Sequence, residues 1–317
     1  MASDSFHWLK DGYEYYSPAV GEETLTDGHI RHFRQALGGR VKVIQFDKSQ
    51  EGRNGADWEM WIHNRSHGVG LRIQAKKASQ AGQYKKIDHA LVREQRAYQC
   101  DLLIRHAAAV QCIPVYVLYN FWSWSIDPGV AKSLCRHGAS DESHYGCTLV
   151  SAYHVQNELF RKAVGYNISH KGLWGASLPW NQVLCDERVP KVGNDPRGND
   201  PRGVAALREI LKAVQELQKS GLAALPDDRT GITPSHVHWG DSAFGGVPFE
   251  EDAALTEHLM SDVLKPLPPH VHALLESAPD DPPWPLVPTH GVLLYDLTDT
   301  REAQAPESGE GSARRRT

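Results

Sequence analysis

Three residues in the stretch 55–77, GADWEMWIHNRSHGVGLRIQAKK, have types and spacing suited to chemistry: Asp57, Gln74 and Lys76. Two strand-like runs flank a polar turn, Asn64-Arg65-Ser66-His67-Gly68. In the first run, alternation sets Asp57, Glu59 and Trp61 on one face and Trp58, Met60 and Ile62 on the other. In the second, Val69, Leu71, Ile73 and Ala75 share the apolar face, and Arg72, Gln74 and Lys76 the polar one. A sheet with one buried face accounts for the apolar sets. It does not account for an acid on one strand opposite an amide and an amine on its neighbour. Folded as a hairpin, the runs bring Asp57, Gln74 and Lys76 together near one end. A carboxylate, a carbonyl oxygen and an ammonium are the parts that hold a divalent cation and polarise a water. Because an amide oxygen brings no charge, a site built on Gln74 calls for another acid from elsewhere in the chain. Glu59 shares a face with Asp57 and is either a further ligand or a solvent-side residue, the second reading being preferred.

This stretch resembles the PD-(D/E)XK (restriction-endonuclease-like) nuclease superfamily, in the Mrr-like variant whose second acid is Gln. Gly55-Ala56-Asp57 stands at the position of that superfamily's metal-binding Asp, and Ile73-Gln74-Ala75-Lys76 at its (D/E/Q)-x-K strand. The resemblance implies an α/β fold with an α-β-β-β-α-β core, a mixed sheet flanked by helices. It also implies that Mg²⁺ or Mn²⁺ is held by Asp57, Gln74, the Ala75 carbonyl and an acid of the first helix. Glu22 and Glu23 are the candidates for that acid, with Glu23 preferred. Lys76 then holds the attacking water and offsets charge on the phosphorane. Superfamily members with Q-x-K often carry a polar residue facing the site from the helix after the motif. Gln95 and Gln99 lie one turn apart there, and Gln99 is the better placed. The implied activity is metal-dependent hydrolysis of phosphodiesters, DNA before RNA, in bacterial restriction or anti-phage defence, with a homodimer possible. A rival reading is a catalytically degenerate nuclease-fold module that only binds nucleic acid or a protein partner.

The elements that would position these residues follow in order. Residues 1–16 read as an irregular aromatic arm. A helix starting at Ser17-Pro18 runs through Glu22, Glu23, Leu25, Ile30 and Phe33 to Leu37, where Gly38-Gly39 ends it. Val41–Phe46 is a strand and 47–54 a loop. After the central stretch, a helical pattern spans about Asp88 to Val110, and Ile113–Tyr119 is a buried strand. The order helix, strand, strand, strand, helix, strand agrees with the resembled core. Cys147–Val155 is a further strand candidate. The core with its arm is expected over 1–165, and 166–300 as a mainly helical and irregular elaboration or accessory domain. Within it, 193–203 is a tandem GNDPR repeat, Val204–Lys219 an amphipathic helix, 251–264 a helix and Gly291–Leu297 a strand. Residues 301–317 are low-complexity and expected to be disordered.

The formal charge of −5 argues against a protein that binds nucleic acid over its whole surface. A local basic track remains: Lys76, Lys77, Lys85 and Lys86, then Arg93. Lys77, Lys85 and Lys86 are candidate phosphate contacts. No apolar run suffices to cross a bilayer and the start of the sequence lacks a signal pattern, so no membrane partner and a cytoplasmic location are expected. Five cysteines without a C-x-x-C pair suggest free thiols. Cys135, His137, His144 and Cys147 hold four possible zinc ligands. Their six-residue gap is tight, and Cys147 opens an apolar run where a buried thiol is expected; both weigh against zinc. The H-x-H pairs His236/His238 and His270/His272 read as surface or packing histidines.

Overall fold

A computed structural model describes residues 2–15, 20–45, 56–92, 97–121, 142–163, 165–180, 201–223, 264–277, 289 and 291–298. The Ser17-Pro18 helix start, the 47–54 loop, Arg93, Gln95, Cys135, His137, most of the tandem repeat, His236, His238, nearly all of the 251–264 helix and the 301–317 tail lie outside them.

The chain opens with α1 (Ala2–Glu14), not an irregular arm. Ala2, Phe6, Leu9 and Tyr13 recur every three or four residues, and Phe6 and Leu9 are buried. Helix α2 (Glu22–Leu37) buries Leu25, His29 and Phe33, spaced four apart, and stops at Gly38, whose φ of 57° favours glycine. Next come β1 (Val41–Gln45), β2 (Trp58–His63) and β3 (His67–Lys77). The expected long helix from Asp88 is instead a small ribbon, β4 (Ala90–Val92) with β5 (Ala97–Tyr98), followed by α3 (Gln99–Ala109). Asp101 decides that start: its Oδ2 accepts from the Tyr98 N–H at 2.8 Å, capping the first turn. Strand β6 (Ile113–Tyr119) matches its expectation. The 147–155 run divides into β7 (Cys147–Ser151) and α4 (Ala152–Ala163). Then follow α5 (His170–Gly175), β8 (Leu178–Pro179), α6 (Pro201–Ala223), β9 (Lys265–Pro266), α7 (Pro269–Glu276) and β10 (Gly291–Asp296).

The result is an α/β protein with an eight-stranded mixed sheet, ordered β1-β10-β2-β3-β6-β7-β8, with β9 paired to one end of β3. Strands β2 and β3 form the expected antiparallel hairpin. Strands β3 and β6 are parallel and joined through α3. The last strand, β10, lies between β1 and β2, antiparallel to the first and parallel to the second. Residues beyond 165 thus supply three strands to the sheet formed by the first half, including one inserted between β1 and β2. Among the described residues no helix is long and apolar enough to cross a membrane.

Both sheet faces are covered, which a hairpin with one solvent face does not anticipate. All six residues of β2 and the run Val69–Lys76 of β3 are buried. On the side of Trp61, α3 and α7 supply Ala107, Val110, Val271 and Leu274 to a cluster with Val292 and Leu294. Gly70, opposite Trp61, leaves room for the indole, since a Cβ there would come within 2.7 Å of the ring. The row Asp57, Glu59, Arg72, Gln74 and Lys76 is therefore a polar row in an interior, where each group needs a partner.

Candidate active site

The hairpin register sets Glu59 opposite Arg72, so Asp57 falls opposite Gln74. The Asp57 N–H donates to the Ile73 carbonyl at 2.8 Å, and Thr289, just before β10, donates to the Asp57 carbonyl at 3.4 Å. Asp57 Oδ2 accepts from the Ala75 N–H at 2.7 Å and from Gln74 Nε2 at 2.6 Å. Gln74 Nε2 also donates to the Ala75 carbonyl at 3.3 Å. The amide head thus bridges a carboxylate and a carbonyl, two of the oxygens a cation would use. Turned over, the amide would set its oxygen against the Asp57 carboxylate and the Ala75 carbonyl, where a cation could bridge the three. Gln74 is 2% exposed, and its Oε1 has no hydrogen-bond partner among the described residues.

These groups fit a hard cation. Octahedral Mg²⁺, with ligands at about 2.0–2.1 Å, sets neighbouring ligand atoms roughly 3 Å apart. With the amide turned, Gln74 Oε1 would join Asp57 Oδ2 and the Ala75 carbonyl. Among the described residues no three Asp, Glu, His or Cys side chains gather in a metal-ligand group. The donor set relies on an amide and a main-chain oxygen.

Of the two helix acids, Glu22 is the one the structure brings to the end of β3, whereas the sequence reading prefers Glu23. Glu22 Oε2 accepts from the Lys77 N–H at 2.9 Å, and Oε1 lies 3.9 Å from Lys76 Nζ. Burial pushes the Glu22 carboxyl above its ordinary range; Lys76 opposes this and the Asp57 charge reinforces it. Glu23, about 100° further round α2, is exposed. Lys76 is 6% exposed, so it is not the exposed strand lysine that alternation alone would allow.

Of the candidate phosphate contacts, Lys77 has a different use. Alternation turns it away from Lys76, and its Nζ donates to the Val20 carbonyl at 2.6 Å and lies 5.9 Å from the Tyr13 ring centroid. It anchors the segment leading into α2. Lys85 and Lys86 are exposed on the turn 85–88, with Lys86 at a φ of 61° and the Lys85 charge within reach of Lys77. Gln99 is the half-buried first residue of α3, its N–H donating to the His89 carbonyl at 2.9 Å.

Glu59 is buried, not on the solvent side. Arg72 Nη1 donates to its Oε2 at 2.8 Å and Trp61 Nε1 to its Oε1 at 2.6 Å, while His270 Nε2 is 3.5 Å from Oε1. Burial alone would raise this carboxyl, but His270, Arg72 and Trp61 hold it below the usual range. His270 is thus a packing histidine, and His272 is exposed. Cys147 is fully buried with Sγ 3.7 Å from His29 Nδ1, and His29 Nε2 is bonded to Ser5 Oγ. Its thiol is the buried one expected at the head of a strand.

One feature escapes the sequence reading. Tyr116 of β6 stands in register with Gln74 and is fully buried, and its hydroxyl has no partner among the described residues. In sequence it is one more aromatic in an apolar strand, and only the parallel pairing sets it beside Gln74.

Residues 1–300 match the family of unknown function DUF6615. The chain belongs to that family. Every residue of the candidate site described above falls inside the matched span. No curated protein and no solved structure matches the chain.

Proposed function

We propose that this DUF6615 protein is a metal-dependent phosphodiester hydrolase of restriction-endonuclease-like type, acting on nucleic acid, with DNA as the first substrate to test. The observation that carries the reading is the meeting of Asp57, Gln74, the Ala75 carbonyl, Lys76 and Glu22, with the Gln74 amide nitrogen between the Asp57 carboxylate and the Ala75 carbonyl. Asp57, Gln74, Ala75 and Glu22 would hold Mg²⁺ or Mn²⁺. When bound, the cation supplies Lewis acidity to a phosphoryl oxygen and lowers the pKa of a water. The Ala75 N–H fixes the Asp57 carboxylate, so its aim does not depend on a side-chain rotamer alone. Lys76 directs its ammonium at the attacking water and offsets negative charge that grows in the transition state. Glu22 keeps Lys76 from turning elsewhere. The site lies toward the carboxyl ends of the parallel pair β3 and β6, where open α/β sheets usually bind ligands.

A bacterial restriction or anti-phage role, a cytoplasmic location and a homodimer belong to this reading as its wider setting. The test is incubation of purified protein with plasmid, linear duplex and single-stranded substrates, with Mg²⁺, Mn²⁺ or EDTA, beside Lys76→Ala. Metal-dependent cleavage lost in the variant supports the reading. Binding without cleavage in either metal would favour the degenerate nucleic-acid-binding module instead.

A further inference from the structure

Among the described residues, two buried polar atoms on register-paired residues have no hydrogen-bond partner: Gln74 Oε1 on β3 and the Tyr116 hydroxyl on β6. Each residue is at most 2% exposed. Leaving a buried amide oxygen or hydroxyl unpaired is costly, and these two belong to residues paired in register on neighbouring strands. Their chemistry is complementary, one an acceptor only and the other a donor or acceptor. One water can satisfy two to four such groups in a buried polar site.

We infer that Tyr116 is a positioning residue of this site, whose hydroxyl shares one buried water with the Gln74 amide and thereby sets which end of the amide faces Asp57. With the amide nitrogen on Asp57, as here, the water donates to Gln74 Oε1 and accepts from Tyr116. When the amide turns to offer its oxygen to a cation, its N–H₂ swings toward the water, which then accepts from the amide and donates to Tyr116. The phenol can serve both arrangements because its hydrogen rotates. Burial, together with the nearby Cys100, Asp101, Asp57 and Glu22, holds this phenol protonated. Tyr116 thus lowers the cost of turning Gln74, and the inference rests on the metal site proposed above only for what the turning accomplishes.

The test is Tyr116→Phe in the full chain. A phenyl ring keeps the packing and removes only the hydroxyl. The metal-free variant should melt within a degree or two of the parent, and the Gln74 side-chain N–H₂ signals in a ¹⁵N–¹H correlation spectrum should move. Those signals are assigned by their absence in Gln74→Glu. The Mn²⁺ concentration giving half the maximal thermal shift should rise roughly threefold to tenfold, as expected for one hydrogen bond. Unmoved Gln74 signals would overturn the inference, and so would an unchanged Mn²⁺ midpoint in a parent that responds to Mn²⁺. If the signals move but no metal shifts the parent's melting, the coupling of Tyr116 to Gln74 stands and the metal-site reading fails.

Discussion

Two cross-strand pairs sit side by side in the β2–β3 hairpin, and they end differently. Glu59 faces Arg72, and Asp57 faces Gln74, two residues along each strand. Around Glu59 the charges are matched: Arg72 and Trp61 donate to its carboxylate and His270 Nε2 lies 3.5 Å from it, beside Val271 and Leu274. Around Asp57 the facing residue is an uncharged amide. An amide hydrogen stands where a cation would sit, and Gln74 Oε1 and the Tyr116 hydroxyl have no partner among the described residues. Buried polar groups are tolerated when they are paired, so the first pair is structure. The second leaves a buried amide oxygen and a buried hydroxyl with hydrogen-bonding capacity to spare among the described residues, which supports the proposed site.

The largest effect should come from breaking the matched pair. Glu59→Gln leaves the Arg72 guanidinium buried without its counter-charge, and loss of one partner of such a pair typically costs about 3–5 kcal/mol. Urea unfolding should register that loss, and the double variant Glu59→Leu with Arg72→Met should recover most of it. A single variant as stable as the parent would mean that the pair is not matched as described.

The second pair should respond in activity. Lys76→Ala should reduce metal-dependent cleavage by about a hundredfold or more, the scale seen when a group stabilising transition-state charge is removed. Parent-like cleavage by this variant would take Lys76 out of the mechanism.

Acid should separate the two regions as well. His106 of α3 is buried near Arg72, and burial first, then Arg72 and Arg105, lower its pKa from 6.5 to about 3. The unfolded chain therefore takes up this proton before the folded protein does. Stability from the neutral imidazole is intact above pH 6.5 and is lost as pH falls toward 3, at up to about 1.4 kcal/mol per pH unit. Denaturation midpoints of His106→Leu should accordingly fall less steeply across that window. Equal slopes for parent and variant would show that His106 titrates normally.

The smallest shift is expected for Gln74→Glu. The added carboxylate beside Asp57 strains the empty site and strengthens the pull on a hard cation. Melting across a Mn²⁺ titration should show a larger metal-induced rise than in the parent, where roughly 1 kcal/mol corresponds to about 2–4 °C in a chain of this size. No metal-dependent change in either protein would mean that position 74 does not border a metal site.

Alternation and turn chemistry in the sequence determined the hairpin, the phase that sets Asp57 against Gln74 and Lys76, the order α2, β1, β2, β3, α3, β6 without the intervening β4–β5 ribbon, and the α/β class. These are local properties, set by a period of two in strands and by residues such as Gly38. Tertiary structure alone decided the rest. Alternation cannot tell a solvent face from a second buried face, so Glu59 reads as exposed until α3 and α7 are packed over it. Neighbouring acids on a helix differ only by rotation, and contact with the end of β3 selects Glu22 over Glu23. The same alternation that directs Lys76 into the site turns Lys77 out to Val20, where it only anchors α2. Strand pairing carries no mark in the separate strands, so neither β10 between β1 and β2 nor Tyr116 beside Gln74 is legible before the sheet is assembled.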